Sequence, residues 1–379
     1  MSYLSARSQV QPFRVMQILA AAQQRPGSIM MCVGQPTTGA PRVVVEQAQR
    51  SLVEHQLGYT ATLGIPELRE RIARWHRDTY SSNTTARNVV VTTGSSGAFV
   101  ALFLAALDQG EAIAMARPGY PAYRNTVEAL GARIVELPCG PSNRFQPTVA
   151  QLEALPEAPR ALIVTSPNNP TGTIIDAEVL QGIARWCEAH GCLLISDEIY
   201  HGISYGRPCV TARNFSDEAV VVGSLSKFFS MTGWRLGWLI VPEYLLEPLE
   251  NLQANLALCP PAISQYAALA AFDDAALAEV RGHVARYAAS RSMLLERLPQ
   301  LGFNHFAPPD GGFYLYVDVS HLTNDSEAWC REVLETTGVA FAPGVDFDPV
   351  DGHKYIRISF CLDTAQVAQA CERIAEFLR

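Results

Sequence analysis

Seven short apolar runs mark the middle of the chain: 89–93 (VVVTT), 112–116 (AIAMA), 133–137 (RIVEL), 161–165 (ALIVT), 192–196 (CLLIS), 219–223 (AVVVG) and 236–241 (LGWLIV). Each has the length of a strand, and unbroken apolar runs of that length suit strands buried on both faces. Helical patterns separate several of them. Val100, Phe103, Leu104 and Leu107 fall on one helical face, as do Val179, Ile183, Trp186 and Cys187 ahead of a stop at Gly191. Strand, helix and strand in repetition predict an α/β fold, with a seven-stranded, mainly parallel sheet sandwiched by helices. After about residue 275 the pattern changes. A long helix (Leu277, Val280, Val284, Tyr287) is followed by alternating strands at 313–319 and 355–360, then by a closing helix with Val367, Cys371, Ile374 and Phe377 on one face. We therefore expect a large unit over 39–275 and a smaller α+β unit drawn from both termini, 1–38 and 276–379.

A chain of 379 residues, 48% of them hydrophobic, can bury the core that two such units need. Its net charge of −8 is spread without blocks of like sign, which argues against a nucleic-acid or membrane-surface partner. The nine cysteines form no CxxC pair and no zinc-type spacing, so they read as buried thiols in a reducing compartment, with no metal site. The first residues, MSYLSARSQVQPFRVMQ, lack an apolar leader, and no run reaches the roughly 18 apolar residues of a membrane span. A cytoplasmic location is expected.

Four segments carry chemistry. SLSKFFSMTGWRLGW (224–238) places one lysine between two apolar runs, where desolvation disfavours its charge and makes the Lys227 amine a nucleophile able to form an imine with an aldehyde. Arg235 adds a fork that fits a phosphate, with Ser224 and Ser226 as short donors. SDEIY (196–200) sits at the carboxyl end of a strand, where open α/β sheets place their ligands. There Asp197 can keep a pyridine nitrogen protonated, and Tyr200 can donate to a phenolic oxygen. SPNNPTG (166–172) is a tight loop in which Asn169 can both donate and accept. VVVTTGSSGAF runs a strand into Gly94, Ser95 and Ser96 and on into a helix, whose free first-turn amides make an anion site. Standing alone, SDEIY reads equally as a strand-end acid, NNPTG as a turn and GSS as an N-cap.

In this order the four segments resemble the fold-type I pyridoxal-phosphate enzymes, in particular the class I/II aminotransferases related to aspartate aminotransferase. The resemblance runs from about Gly34 to Arg357. It implies pyridoxal 5′-phosphate as cofactor, with Lys227 as imine former and proton shuttle, Asp197 on the pyridine nitrogen, and Tyr200 and Asn169 on the 3-oxygen. Ser95, Ser96, Ser224 and Arg235 resemble the phosphate cup, and Tyr120, in RPGYPAY, resembles the ring that stacks on the cofactor. Tyr59, in GYTATLG, matches a tyrosine that reaches the partner subunit's phosphate, so a homodimer is implied. Arg357, in YIRISF, resembles the arginine that holds the substrate carboxylate, and Gly34 a glycine whose backbone approaches it.

The implied activity is ping-pong transfer of an amino group between an amino acid and a 2-oxo acid. A β- or γ-eliminating lyase of the same fold is the near alternative, and a non-catalytic cofactor-binding sensor the distant one. Ser96 stands where one aspartate-specific branch has lysine, and 253–261 carries no basic residue where another has arginine. A neutral or aromatic substrate is therefore expected, with Arg207 as the one candidate for a distal charge.

Overall fold

The computed structural model describes residues 3–379. The seven apolar runs form one sheet. Numbering from a short first strand β1 (Ile29–Met30), they are β2 (Val89–Thr92), β3 (Ala112–Arg117), β4 (Arg133–Pro138), β5 (Ala161–Thr165), β6 (Leu193–Asp197), β7 (Val220–Ser224) and β8 (Gly237–Ile240). Their spatial order is β2-β8-β7-β6-β5-β3-β4. Only β8 runs antiparallel to its neighbours, so the sheet is mainly parallel. Successive residues face opposite cores. Ile163, Ile195 and Val222 pack with Phe99, Leu102 and Phe103 of the helix Gly94–Ala106. Leu162, Val164 and Leu194 pack instead with Leu180, Ile183 and Trp186 of the helix Ala177–Ala189. Each fully buried aliphatic side chain adds about 1.5–3 kcal/mol, which is why both strand faces are apolar.

One predicted helix face is displaced. In Gly94–Ala106, Ala98, Phe99, Ala101, Leu102 and Phe103 are buried, whereas Leu104 is 39% exposed. The helix is apolar almost all round, so hydrophobic spacing does not pick out its inner side.

Beyond the sheet lie β9 (Tyr314–Asp318), β10 (Val339–Ala340), β11 (Ala342–Pro343) and β12 (Tyr355–Ser359). β11, β12 and β9 form an antiparallel sheet, with Arg357 opposite Tyr316. The helices Asp274–Gln300, Ser326–Thr337 and Thr364–Phe377 belong to the same part of the chain. The chain start joins this region, because β1 pairs in parallel with β10, Ile29 beside Val339. All nine cysteines are free thiols. Among the described residues, no helix is long and apolar enough to cross a membrane.

The parallel strands end on one side of the sheet. β2 leads into Gly94, β3 towards Tyr120, β5 towards Asn169, β6 ends at Asp197 and β7 leads to Lys227. Every chemically distinctive residue of the four segments except Ser224 is thereby delivered to the same crevice.

Candidate active site

That crevice is a cavity of about 530 Å³, walled by the strand ends on one side and by Arg357, Tyr314 and the chain start on the other. Lys227 lies past β7, and its Nζ donates to the Gly34 carbonyl at 2.8 Å. Burial pushes its amine down to about 8, with Arg357 and Arg235 adding to the shift against Cys361 and Asp197. A fraction of the amine is therefore uncharged near neutrality and can act as a nucleophile.

Asp197 is buried at the end of β6. One carboxylate oxygen accepts Ile199 N–H at 3.1 Å, and the other accepts the Tyr123 hydroxyl. Burial pushes this acid up to about 6, while Tyr123, the Ile199 amide and Lys227 hold it down. It stays mainly ionised at neutral pH. The Tyr200 hydroxyl bonds that of Tyr314 at 2.8 Å, and burial drives the Tyr200 phenol well above its ordinary range, so it remains a neutral donor.

The start of the helix Gly94–Ala106 has the donors that an anion subsite needs. Thr93 makes no side-chain capping bond there, so no hydroxyl cap competes for the first-turn amides beside Ser95 and Ser96. Gly94 sits at φ +67°, and a Cβ there would come within 2.5 Å of the Arg235 guanidinium. Glycine is what lets that guanidinium pack against the helix start. Gly237 serves the same approach from β8, since its Cβ would meet the Ser95 amide at 2.8 Å.

The opposite wall holds Arg357, 3% exposed on β12. Its Nη1 donates to Asn169 Oδ1 at 2.8 Å and its Nη2 to the Cys32 carbonyl at 2.6 Å. The guanidinium lies 4.3 Å from the Tyr314 ring centroid and 4.7 Å from that of Phe347. Its Nε has no hydrogen-bond partner, and no carboxylate pairs with it among the described residues. A buried cation without a counter-charge is costly, and an anionic ligand in the cavity is what would offset that cost. Gly34 fits closely beside it, because a Cβ there would fall 1.5 Å from the Tyr314 hydroxyl oxygen.

The predicted residues Gly34, Ser95, Ser96, Tyr120 and Asn169 thus share one cavity with Asp197, Tyr200, Lys227, Arg235 and Arg357. Two expectations need correction, those for Ser224 and Arg207. Ser224 is absent from the cavity wall: its hydroxyl accepts the Ser226 amide at 3.0 Å, and Ser226 lines the cavity in its place. Tyr59, which the resemblance assigns to the partner's site, is 84% exposed and outside the cavity of its own chain. Arg207 pairs with Asp176 and does not reach it.

Residues missed from the sequence complete the walls. Tyr123 grips Asp197, Tyr314 grips Tyr200, and Phe13, Val15 and Met16 close the cavity from the chain start. The recurrence of tyrosine three positions after Tyr120, in RPGYPAY, is a signal for the first of these; the chain-start residues carry none.

Residues 26–374 match the family described as aminotransferase class I and II. The chain belongs to that family. Among curated relatives, it is 47% identical to the valine–pyruvate aminotransferase of Mycobacterium tuberculosis, over 99% of this chain and 98% of the relative. Among solved structures, it superposes on an aminotransferase from the same organism with TM-score 0.98 and 46% identity, covering 100% of this chain and 99% of that one. It also superposes on Thermus thermophilus aspartate aminotransferase crystallised with maleate, with TM-score 0.94 and 32% identity over 99% and 100% of the two chains. The chain is an aminotransferase, a transferase of nitrogenous groups, and class I aminotransferases depend on pyridoxal phosphate. Amino acids and 2-oxo acids are the substrates of these relatives.

Proposed function

We propose that this chain holds pyridoxal 5′-phosphate on Lys227 and moves the amino group of a neutral, aliphatic amino acid to a 2-oxo acid. The observation that carries this is the buried, uncompensated Arg357 facing the same cavity as a lysine whose amine is partly uncharged. When bound, the cofactor supplies an aldehyde to take up the amino group and a ring to withdraw electrons.

The residues present suit each part of that group. First-turn amides with Ser95, Ser96, Ser226 and Arg235 hold the phosphate. Tyr120 would cover the ring, Asn169 and Tyr200 would take the 3-oxygen, and Asp197 would keep a proton on the ring nitrogen, all four lining the same cavity. Arg357, with Asn169 and the Gly34 backbone, fixes the substrate carboxylate, so donor and acceptor occupy one position in turn. The Lys227 amine, lying beside the substrate position, would take the proton from Cα and then give it back, acting first as base and then as acid.

Three cationic side chains line the cavity, and each is committed: Lys227 to the aldehyde, Arg235 to the phosphate, Arg357 to the α-carboxylate. None is left for a second carboxylate, while Phe13, Val15, Met16 and Val33 offer an apolar wall. The valine–pyruvate activity named for the M. tuberculosis relative agrees with this reading. Single-turnover half-reactions, followed through the visible absorbance of the bound cofactor, test it. Valine should react at least about tenfold faster than aspartate. Equal rates would remove the substrate assignment, and free ammonia in place of amine on an added 2-oxo acid would turn the reading to a lyase.

The chain is further proposed to work as a homodimer in which exposed Tyr59 reaches the phosphate of the other copy, and to divide into units 39–275 and 1–38 with 276–379. Light scattering alongside activity checks the dimer. A fully active monomer would end it.

A further inference from the structure

Tyr123 lies in the first turn of the helix Pro121–Leu130, three positions past Tyr120, and is 3% exposed. Its ring packs against Phe99, centroids 4.9 Å apart, and edge-on to Tyr120 at 5.3 Å. These contacts fix the hydroxyl between the ends of β5 and β6. There it donates to Asp197 Oδ2, with Thr165 Oγ1 at 3.3 Å as its second neighbour. Asp197 Oδ1 takes the Ile199 amide. Each carboxylate oxygen is thus held by its own donor, one from the main chain and one from Tyr123.

We propose that Tyr123 is a positioning residue for amino transfer, whose hydroxyl keeps Asp197 ionised and aimed into the cavity at the ring nitrogen of the cofactor. The inference rests on the cofactor assignment above. Burial alone favours the protonated acid, which could not hold a positive ring nitrogen. A donated hydrogen bond favours the carboxylate, and Tyr123 is itself kept a neutral donor by its surroundings.

The other groups facing Asp197 do not replace it. Lys227 is directed to the Gly34 carbonyl, Tyr120 presents its ring to the cavity, and Glu198 turns to Ser196 and the Ala212 amide, both at 2.9 Å. Because Tyr120 caps the helix whose first turn carries Tyr123, the ring proposed to cover the cofactor and the hydroxyl that grips Asp197 are set by one short stretch of backbone.

Tyr123→Phe keeps the ring packing and deletes only the hydroxyl. We would measure pyridoxal phosphate retention by equilibrium dialysis, together with kcat and KM, across pH 5.5 to 9. The variant would be compared in the native background and in Asp197→Asn. Loss of a hydrogen bond to a charged group should weaken retention and lower kcat by about 10- to 100-fold, with KM for the amino acid little changed. Removing the donor raises the acid's pKa, so the acidic limb of both profiles should move to higher pH. In Asp197→Asn the same substitution should add nothing. Unchanged retention with an unmoved acidic limb, or an equal loss in both backgrounds, would overturn the proposal. Native protein that fails to retain pyridoxal phosphate would overturn the cofactor assignment as well; native retention with Tyr123→Phe indistinguishable would sink this inference alone.

Discussion

Lys227→Ala should lower amino transfer by more than about 10⁴-fold and leave no borohydride-stable phosphopyridoxyl group on the chain by mass spectrometry. Two roles are lost at once, the amine that anchors the cofactor and the base that moves the Cα proton, and no second lysine lines the cavity. The native amine carries a matching pH signature. Capture of pyridoxal phosphate needs the uncharged amine, whose fraction grows as pH rises through the amine's pKa. Burial places that point at about 8 where an unperturbed lysine has 10.5, so the capture rate of the cofactor-free protein should climb through about pH 8 and then level. A rate still climbing at pH 10 would show that burial does not tune this lysine, and a Lys227→Ala protein that still turns over would remove the anchor assignment.

Arg357→Ala should cut kcat/KM for the amino acid by about 10²- to 10³-fold while the cofactor stays bound. Removing one partner of a buried, hydrogen-bonded charge pair costs about 2–5 kcal/mol, and the substrate carboxylate would be left desolvated opposite an alanine. The cofactor assignments use Asp197, Asn169, Tyr200 and the helix start, so its retention should not change. Steady-state kinetics beside an absorbance titration with pyridoxal phosphate separate the two effects. Loss of cofactor together with activity would show that Arg357 organises the whole cavity.

Much of the fold was legible because parallel strands buried on both faces leave contiguous apolar runs: ALIVT occupies β5 without offset, and AVVVG differs from β7 by one residue at each end. The residues at their carboxyl ends were legible for the same reason, since a strand that ends at Thr165 or Asp197 delivers the next few residues to the crevice. Side-chain phase was not. Ser224 and Ser226 are equivalent as a string, and only the folded chain shows that the Ser224 hydroxyl is taken by the Ser226 amide while Ser226 lines the cavity. Apolar periodicity failed on Gly94–Ala106, where Leu104 faces outward from a helix with hardly a polar position.

The role of Tyr123 was not legible, because its bond to Asp197 spans 74 positions. Phe13, Val15 and Met16 reach the cavity through tertiary packing alone. Asp346 accepts the Arg14 and Val15 amides at 3.0 and 2.7 Å and so seats the helix Arg14–Gln23, which carries Val15 and Met16 directly after Phe13. Arg207 looked free in sequence and is paired in space with Asp176.

The pairing of Ile29 with Val339 joins positions far apart along the chain, whereas most neighbours in the central sheet are close in sequence. Loop-closure entropy must be met before so distant a contact contributes, so this junction should form late in folding relative to the strand–helix–strand units. The walls made by Phe13, Gly34 and Arg357 come from the two segments it brings together. The binding chamber is thus assembled after the layers that floor it.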